Sequence, residues 1–142
     1  MTCSFHGLKV LVTGGTQGIG KAIAQAFYDN GAHVTVTGQT PLAPEDINPS
    51  FTYEPLVLGS GEWKTRVSDI VSSSEGFDIL INNAGTNAVA SLPDLDPCDL
   101  DKILTVNLYA PIYLASLISQ KMVEKKKGFI INISSIFGVV SK

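Results

Sequence analysis

The chain has 142 residues, 44% of them hydrophobic and 16% charged, with a formal net charge of −3. That balance fits one soluble domain over residues 1–142 and lacks the clustered cations that a nucleic-acid backbone demands. It also holds no uninterrupted apolar run of about 18 residues, so no membrane span is predicted, and no export signal opens it.

In chain order, Lys9 to Gly14 reads as a first strand, because Val10, Leu11 and Val12 form a continuous apolar run closed by glycines. The period then changes. Ile19, Ala22, Ile23, Ala26 and Phe27 recur at helical spacing, and Asn30-Gly31 supplies residues that tolerate a helix end. His33 to Gly38 is a second strand, followed by a Pro-rich loop over residues 39–50. Tyr53 to Gly59 reads as a third strand with Pro55 near its start, followed by a helix from about Trp63 to Ser72. Phe77 to Gly85 holds a fourth strand and its exit turn. A long helix is predicted from Pro97 to Glu124, with Asp96 as N-cap and Pro97 at the first helical position; the Lys125-Lys126-Lys127 run suits its negative end. Phe129 to Ser134 is the fifth strand. Such alternation predicts an α/β, Rossmann-type doubly wound parallel sheet with helices on both faces.

Two features carry chemistry. The segment Thr13 to Gly20, "TGGTQGIG", leaves a strand and enters a helix. There Gly14 permits a tight turn, Gly18 lets backbone approach a pyrophosphate and Gly20 allows close packing, while the helix N-terminus offers unpaired N–H groups to phosphates. The second is Asn107. Pro111 lies four residues downstream and has no N–H, so the Asn107 carbonyl loses its usual helical donor. By contrast Cys3, Cys98, His6 and His33 lack metal-ligand or disulfide spacing. No metal site is predicted, and a reducing, cytoplasmic setting is expected.

The glycine spacing resembles the TGxxxGxG turn of short-chain dehydrogenases/reductases. Three further matches follow in that family's order: "NNAG" at Asn82 to Gly85, Asn107 in "TVNL", and "NISS" at Asn132 to Ser135. The resemblance implies an oxidoreductase that transfers a hydride between a nicotinamide cofactor and a small carbonyl or alcohol substrate. By the same resemblance, Thr13, Gly14, Thr16, Gln17, Gly18, Ile19 and Gly20 would wrap the cofactor diphosphate. Asn83, Ala84 and Gly85 would lie on the adenine-ribose side while steadying the sheet. At the positions where NAD-preferring relatives place an acidic residue the chain reads Gly38, Gln39 and Thr40, with Gln17 in the turn. This favours NADP, with NAD as the alternative. One departure is the apolar Leu56-Val57-Leu58, where the family usually has an Asp near the adenine.

Ser135, followed by Ile136-Phe137-Gly138, matches the catalytic serine that holds the substrate oxygen. Asn107 matches the asparagine whose main-chain carbonyl binds a water of the proton relay. The family's Tyr-x-x-x-Lys segment has no counterpart: Tyr28, Tyr53, Tyr109 and Tyr113 are not followed by Lys four residues on. The expectation is therefore a front portion of a longer enzyme lacking its last strands and helices, inactive alone and forming a homodimer or homotetramer when complete. The alternatives are a non-catalytic NAD(P)-binding sensor or subunit and a degenerate remnant. An apolar substrate rim is expected around 87–92 and 137–140.

Overall fold

The computed structural model describes residues 4–135; the serine-flanking 136–138 segment and the 137–140 rim lie outside them. Five parallel strands form one sheet in the order β3-β2-β1-β4-β5. They are β1 (Lys9–Val12), β2 (His33–Gly38), β3 (Thr52–Pro55), β4 (Ile79–Asn82) and β5 (Phe129–Asn132). The order reverses between β1 and β4, and such a switch point opens a crevice at the strands' carboxyl ends. Val10, Leu11 and Val12 are fully buried, as a central strand covered on both faces requires.

One face is covered by α1 (Gly18–Asp29), whose side chains join Val10, Val12, Val34 and Val36 in one core. The other is covered by α2 (Trp63–Ser73) and α4 (Ala110–Glu124), which enclose Leu11, Leu80, Trp63, Val67, Leu114 and Ile118. Of the predicted stripe on α1, Ile23 and Phe27 pack against this core as expected, whereas Ile19 is 66% exposed. The fully buried positions are Gly20 and Ala24, whose small side chains let the helix lie close to the sheet.

The third strand also differs, ending at Pro55 instead of running on to Gly59. The Leu56 N–H still reaches the Gly38 carbonyl at 2.7 Å, but Leu56 then turns into the core beside Trp63. Leu56 and Leu58 pack against the α2-side core without belonging to a strand, while Val57 between them is exposed.

The long helix has three parts: α3 (Pro97–Leu104), a π-helical turn over Thr105–Tyr109, and α4. Asp96 caps α3 as expected, its Oδ1 accepting from the Cys98 N–H at 2.7 Å. In the π turn the Ala110 N–H donates to the Thr105 carbonyl, five residues back. Pro111 follows the π turn inside the continuous helical stretch, so its missing N–H withdraws a donor from that turn. The continuous helical stretch Pro97–Lys125 is long and apolar enough to cross a membrane by length and composition alone, with 22% of its most apolar window buried, although polar and charged residues interrupt it throughout. Its Leu114, Ile118 and Met122 pack into the core.

Candidate active site

The glycine turn is fastened to both neighbouring strands. From β2, the Thr37 Oγ1 accepts from the Gly14 N–H at 3.2 Å and the Thr37 carbonyl from the Gly15 N–H at 3.1 Å. From the end of β4, the Asn83 Nδ2 donates to the Thr13 and Gly14 carbonyls at 3.0 and 3.2 Å. The Thr13 hydroxyl accepts from the Asn83 and Ala84 N–H groups, both at 3.0 Å. Thr13 is 2% exposed, so its side chain acts beneath the turn and not as an open ligand group. Its backbone carries the turn.

Two glycines have separate reasons. Gly18 sits at φ +54° with nothing within 4 Å of the place where a Cβ would stand, leaving a left-handed backbone open to an incoming group. Gly20 is crowded: a Cβ there would lie 2.4 Å from the Asn83 Nδ2 and 2.5 Å from the Gly14 carbonyl oxygen. Gln17 precedes α1 in extended conformation and makes no side-chain cap, and no acidic residue stands in the first turn. The helix thus presents uncapped N–H groups and its positive end past Gly18, which fits a dinucleotide's phosphates. Thr16 is half-buried beside Gly38, and Ile19 is exposed on the first turn.

At the end of β2, Gly38 is buried while Gln39 and Thr40 are exposed. The Tyr53 hydroxyl donates to the Thr40 carbonyl at 2.6 Å and stands 3.1 Å from the Thr40 Oγ1. Farther along this loop, Lys21 of α1 binds both the carbonyl and the Oδ2 of Asp46, at 2.8 and 2.5 Å. That hydrogen bond, with the charge of the same ammonium, holds the Asp46 carboxyl below its ordinary range.

On the far side of the switch point lies a groove of about 860 Å³. Asn83, Ala84 and Gly85 line one part, Asn107 and Pro111 another, and Ser134 and Ser135 a third. The predicted catalytic residues Asn107 and Ser135 therefore line one cavity, and its residues Asn83 and Ala84 also contact the glycine turn. The Asn107 side chain copies a backbone rung: its Oδ1 accepts from the Thr86 N–H at 2.8 Å and its Nδ2 donates to the Thr86 carbonyl at 2.7 Å. This clamps the loop after β4 onto the π turn, the irregular part of the helix in which Asn107 sits.

Sequence reasoning missed the partners that hold these groups. Asn82 donates to the Asn132 Oδ1 at 2.9 Å and to the Pro111 carbonyl at 3.4 Å, tying β4, β5 and α4 together. Its own Oδ1 is buried without a protein partner among the described residues. Asparagines ending two strands were a visible signal for this pair. Thr37, Tyr53 and Thr86 gave no local signal, because each meets its partner across strands or loops distant in sequence.

A family profile described as short chain dehydrogenase matches residues 8–142. The chain is 33% identical over 147 aligned positions to dehydrogenase/reductase SDR family member 7B of Rattus norvegicus, covering 93% of this chain and 45% of that protein. It is 32% identical over 137 positions to 3-oxoacyl-(acyl-carrier-protein) reductase FabG of Rickettsia prowazekii (strain Madrid E), covering 94% and 56%. A solved structure described as a short chain dehydrogenase/reductase family protein superposes with a TM-score of 0.88 at 30% identity, covering 99% of this chain and 60% of that one. The chain spans about half the length of the curated relatives it matches.

Proposed function

The chain belongs to the short-chain dehydrogenase family, and from that membership we propose that its residues bind NADP, and less tightly NAD, for oxidoreduction of a small carbonyl or alcohol. The cofactor supplies the hydride acceptor or donor. The single observation that carries the reading is Asn83. Its side chain fastens the glycine turn while its own segment lines the cavity shared by Asn107 and Ser135. A dinucleotide with its phosphates at the α1 N-terminus would thus have its reactive end directed to the serine pair.

Within this reading Gly14, Gly18 and Gly20 shape the phosphate turn, and the N–H groups of Gly18, Ile19 and Gly20 face the diphosphate. Ser135 holds the substrate oxygen by hydrogen bonding, which steadies charge as it develops there. Asn107 keeps its main chain at the π turn for a relay water. No tyrosine in the 142 residues has Lys four positions on, and none of these residues is assigned the proton transfer. Leu104, Leu108 and Ile112 are exposed apolar side chains on the helical stretch and support self-association as a homodimer or homotetramer.

The test is a nicotinamide-fluorescence titration of the 142-residue chain with NADPH and NADH, with circular dichroism establishing that it is folded. Saturable enhancement is expected with NADPH. A folded chain that binds neither dinucleotide would refute the reading.

A further inference from the structure

We infer that Tyr53 and Thr16 hold position 38 to a bare backbone and thereby set which nicotinamide cofactor is accepted. This rests on the dinucleotide reading above and adds to it a residue of β3 that belongs to none of the matched motifs. In doubly wound folds the acidic residue that takes the ribose hydroxyls of NAD stands at the end of the second strand, about 20 residues past the glycine turn. Here that place is Gly38, the last residue of β2, and Thr37 joins it directly to the glycine turn through the Gly14 and Gly15 N–H groups.

A Cβ on Gly38 would stand 2.7 Å from the Thr16 Cγ2, 2.8 Å from the Tyr53 Oη and 3.0 Å from the Tyr53 Cε2. Neither side of this contact yields easily. The Tyr53 ring is packed against the α1-side core, and its hydroxyl is held by the 2.6 Å bond to the Thr40 carbonyl. The Gly38 backbone is itself held, its carbonyl accepting from the Leu56 N–H at 2.7 Å. A carboxylate-bearing side chain at 38 therefore crowds both the Thr16 methyl and the Tyr53 ring, and the packed, hydrogen-bonded ring is the partner that does not swing aside. What remains at the rim is neutral: exposed Gln39 and Thr40, with hydrogen-bonding groups that do not repel a phosphate. A ribose bearing a 2′-phosphate fits such a rim, whereas an unphosphorylated ribose lacks the carboxylate acceptor for its two hydroxyls.

The experiment titrates NADPH and NADH into the folded 142-residue chain as wild type, Gly38→Asp, and Gly38→Asp combined with Tyr53→Ala. Wild type is expected to favour NADPH by about tenfold or more, a difference well within what a few polar contacts supply. Gly38→Asp alone is expected to weaken both cofactors and lower the melting temperature. Adding Tyr53→Ala is expected to restore binding with NADH now preferred. If Gly38→Asp switches preference equally well with Tyr53 intact, or if wild type prefers NADH, the inference fails while the dinucleotide reading stands. If wild type binds neither, both fail.

Should the aspartate double variant not fold, Gly38→Ala with and without Tyr53→Ala reads the same contact. The single change is expected to lower melting temperature and NADPH affinity, and the second to recover both; equal loss in the two overturns the steric contact.

Discussion

Gly18 and Gly20 sit two residues apart and are glycines for different reasons, which makes their substitutions separable. Gly18→Ala meets open space and suffers only the left-handed backbone, at about 1–2 kcal/mol. Gly20→Ala drives a methyl into the Asn83 amide and the Gly14 carbonyl, and overpacking of this kind typically costs about 1–3 kcal/mol. Because that contact also positions the turn, Gly20→Ala is expected to lower NADPH affinity more than Gly18→Ala does. Denaturant melts and fluorescence titrations of the two variants check the order. Thr13 offers a second test at this scale. Thr13→Val removes the acceptor of two backbone N–H groups at a site 2% exposed, and each orphaned donor costs about 1–3 kcal/mol. A melt shifted by less than one such increment would contradict the hydrogen-bond assignment.

Among the elements, α4 faces the core with Leu114 and Ile118 and faces outward with Ile112, which is 58% exposed. Leu114→Ala is expected to destabilise by about 2–5 kcal/mol and Ile112→Ala by about 0.5 or less, measured by chemical unfolding. The loop after β2 is strapped to α1 by Lys21 and Asp46, both partly or largely exposed, so this pair adds little stability. Its pH dependence is nevertheless specific. With the folded carboxyl depressed, the contribution is complete above 3.8, the ordinary aspartate value, and is lost as pH falls through the depressed one. Lys21→Ala is expected to bring the Asp46 titration, followed by carboxyl NMR, back up toward that ordinary value.

The same elements show how far a sequence alone carries. β2, α2 and the Asp96 cap were legible because β-branched runs, helical period and cap chemistry are local signals. The inner face of α1 was read in part: Ile23 and Phe27 pack on the core as their spacing predicts, but Ile19 faces out while the less apolar Gly20 and Ala24 permit the close approach. β3 was misread because an apolar run that leaves a strand to roof a helix has the same composition as one that stays. In the candidate site, motif residues were legible, but the groups that hold them were not: the contact of Tyr53 with Gly38 joins residues fifteen positions apart, and that of Asn107 with Thr86 joins residues 21 apart.

At the scale of the molecule, the edge that β5 forms among the described residues is apolar. Phe129, Ile130 and Ile131 are all exposed among the described residues, with Phe129 at 62%. Unpaired strand edges of this composition recruit other chains. The 142-residue polypeptide is therefore expected to self-associate as concentration rises, and Ile131→Lys to suppress that association, measured by light scattering. An unchanged scattering profile would place the sticky surface elsewhere, for example on the exposed side of the long helix.

The π turn has a geometric effect that reaches well beyond Asn107. A turn holding one surplus residue alters the angular phase of everything after it by about 100°. No residue of α3 is buried, whereas α4 immerses Ala110, Leu114, Ile118 and Met122. The surplus residue acts as a vernier, letting one continuous rod aim its second half at the sheet while its first half points elsewhere. Excising a single residue between 105 and 109 would spin Ile118 out of the interior, so the irregularity beside the candidate site also aligns the hydrophobic interior behind it.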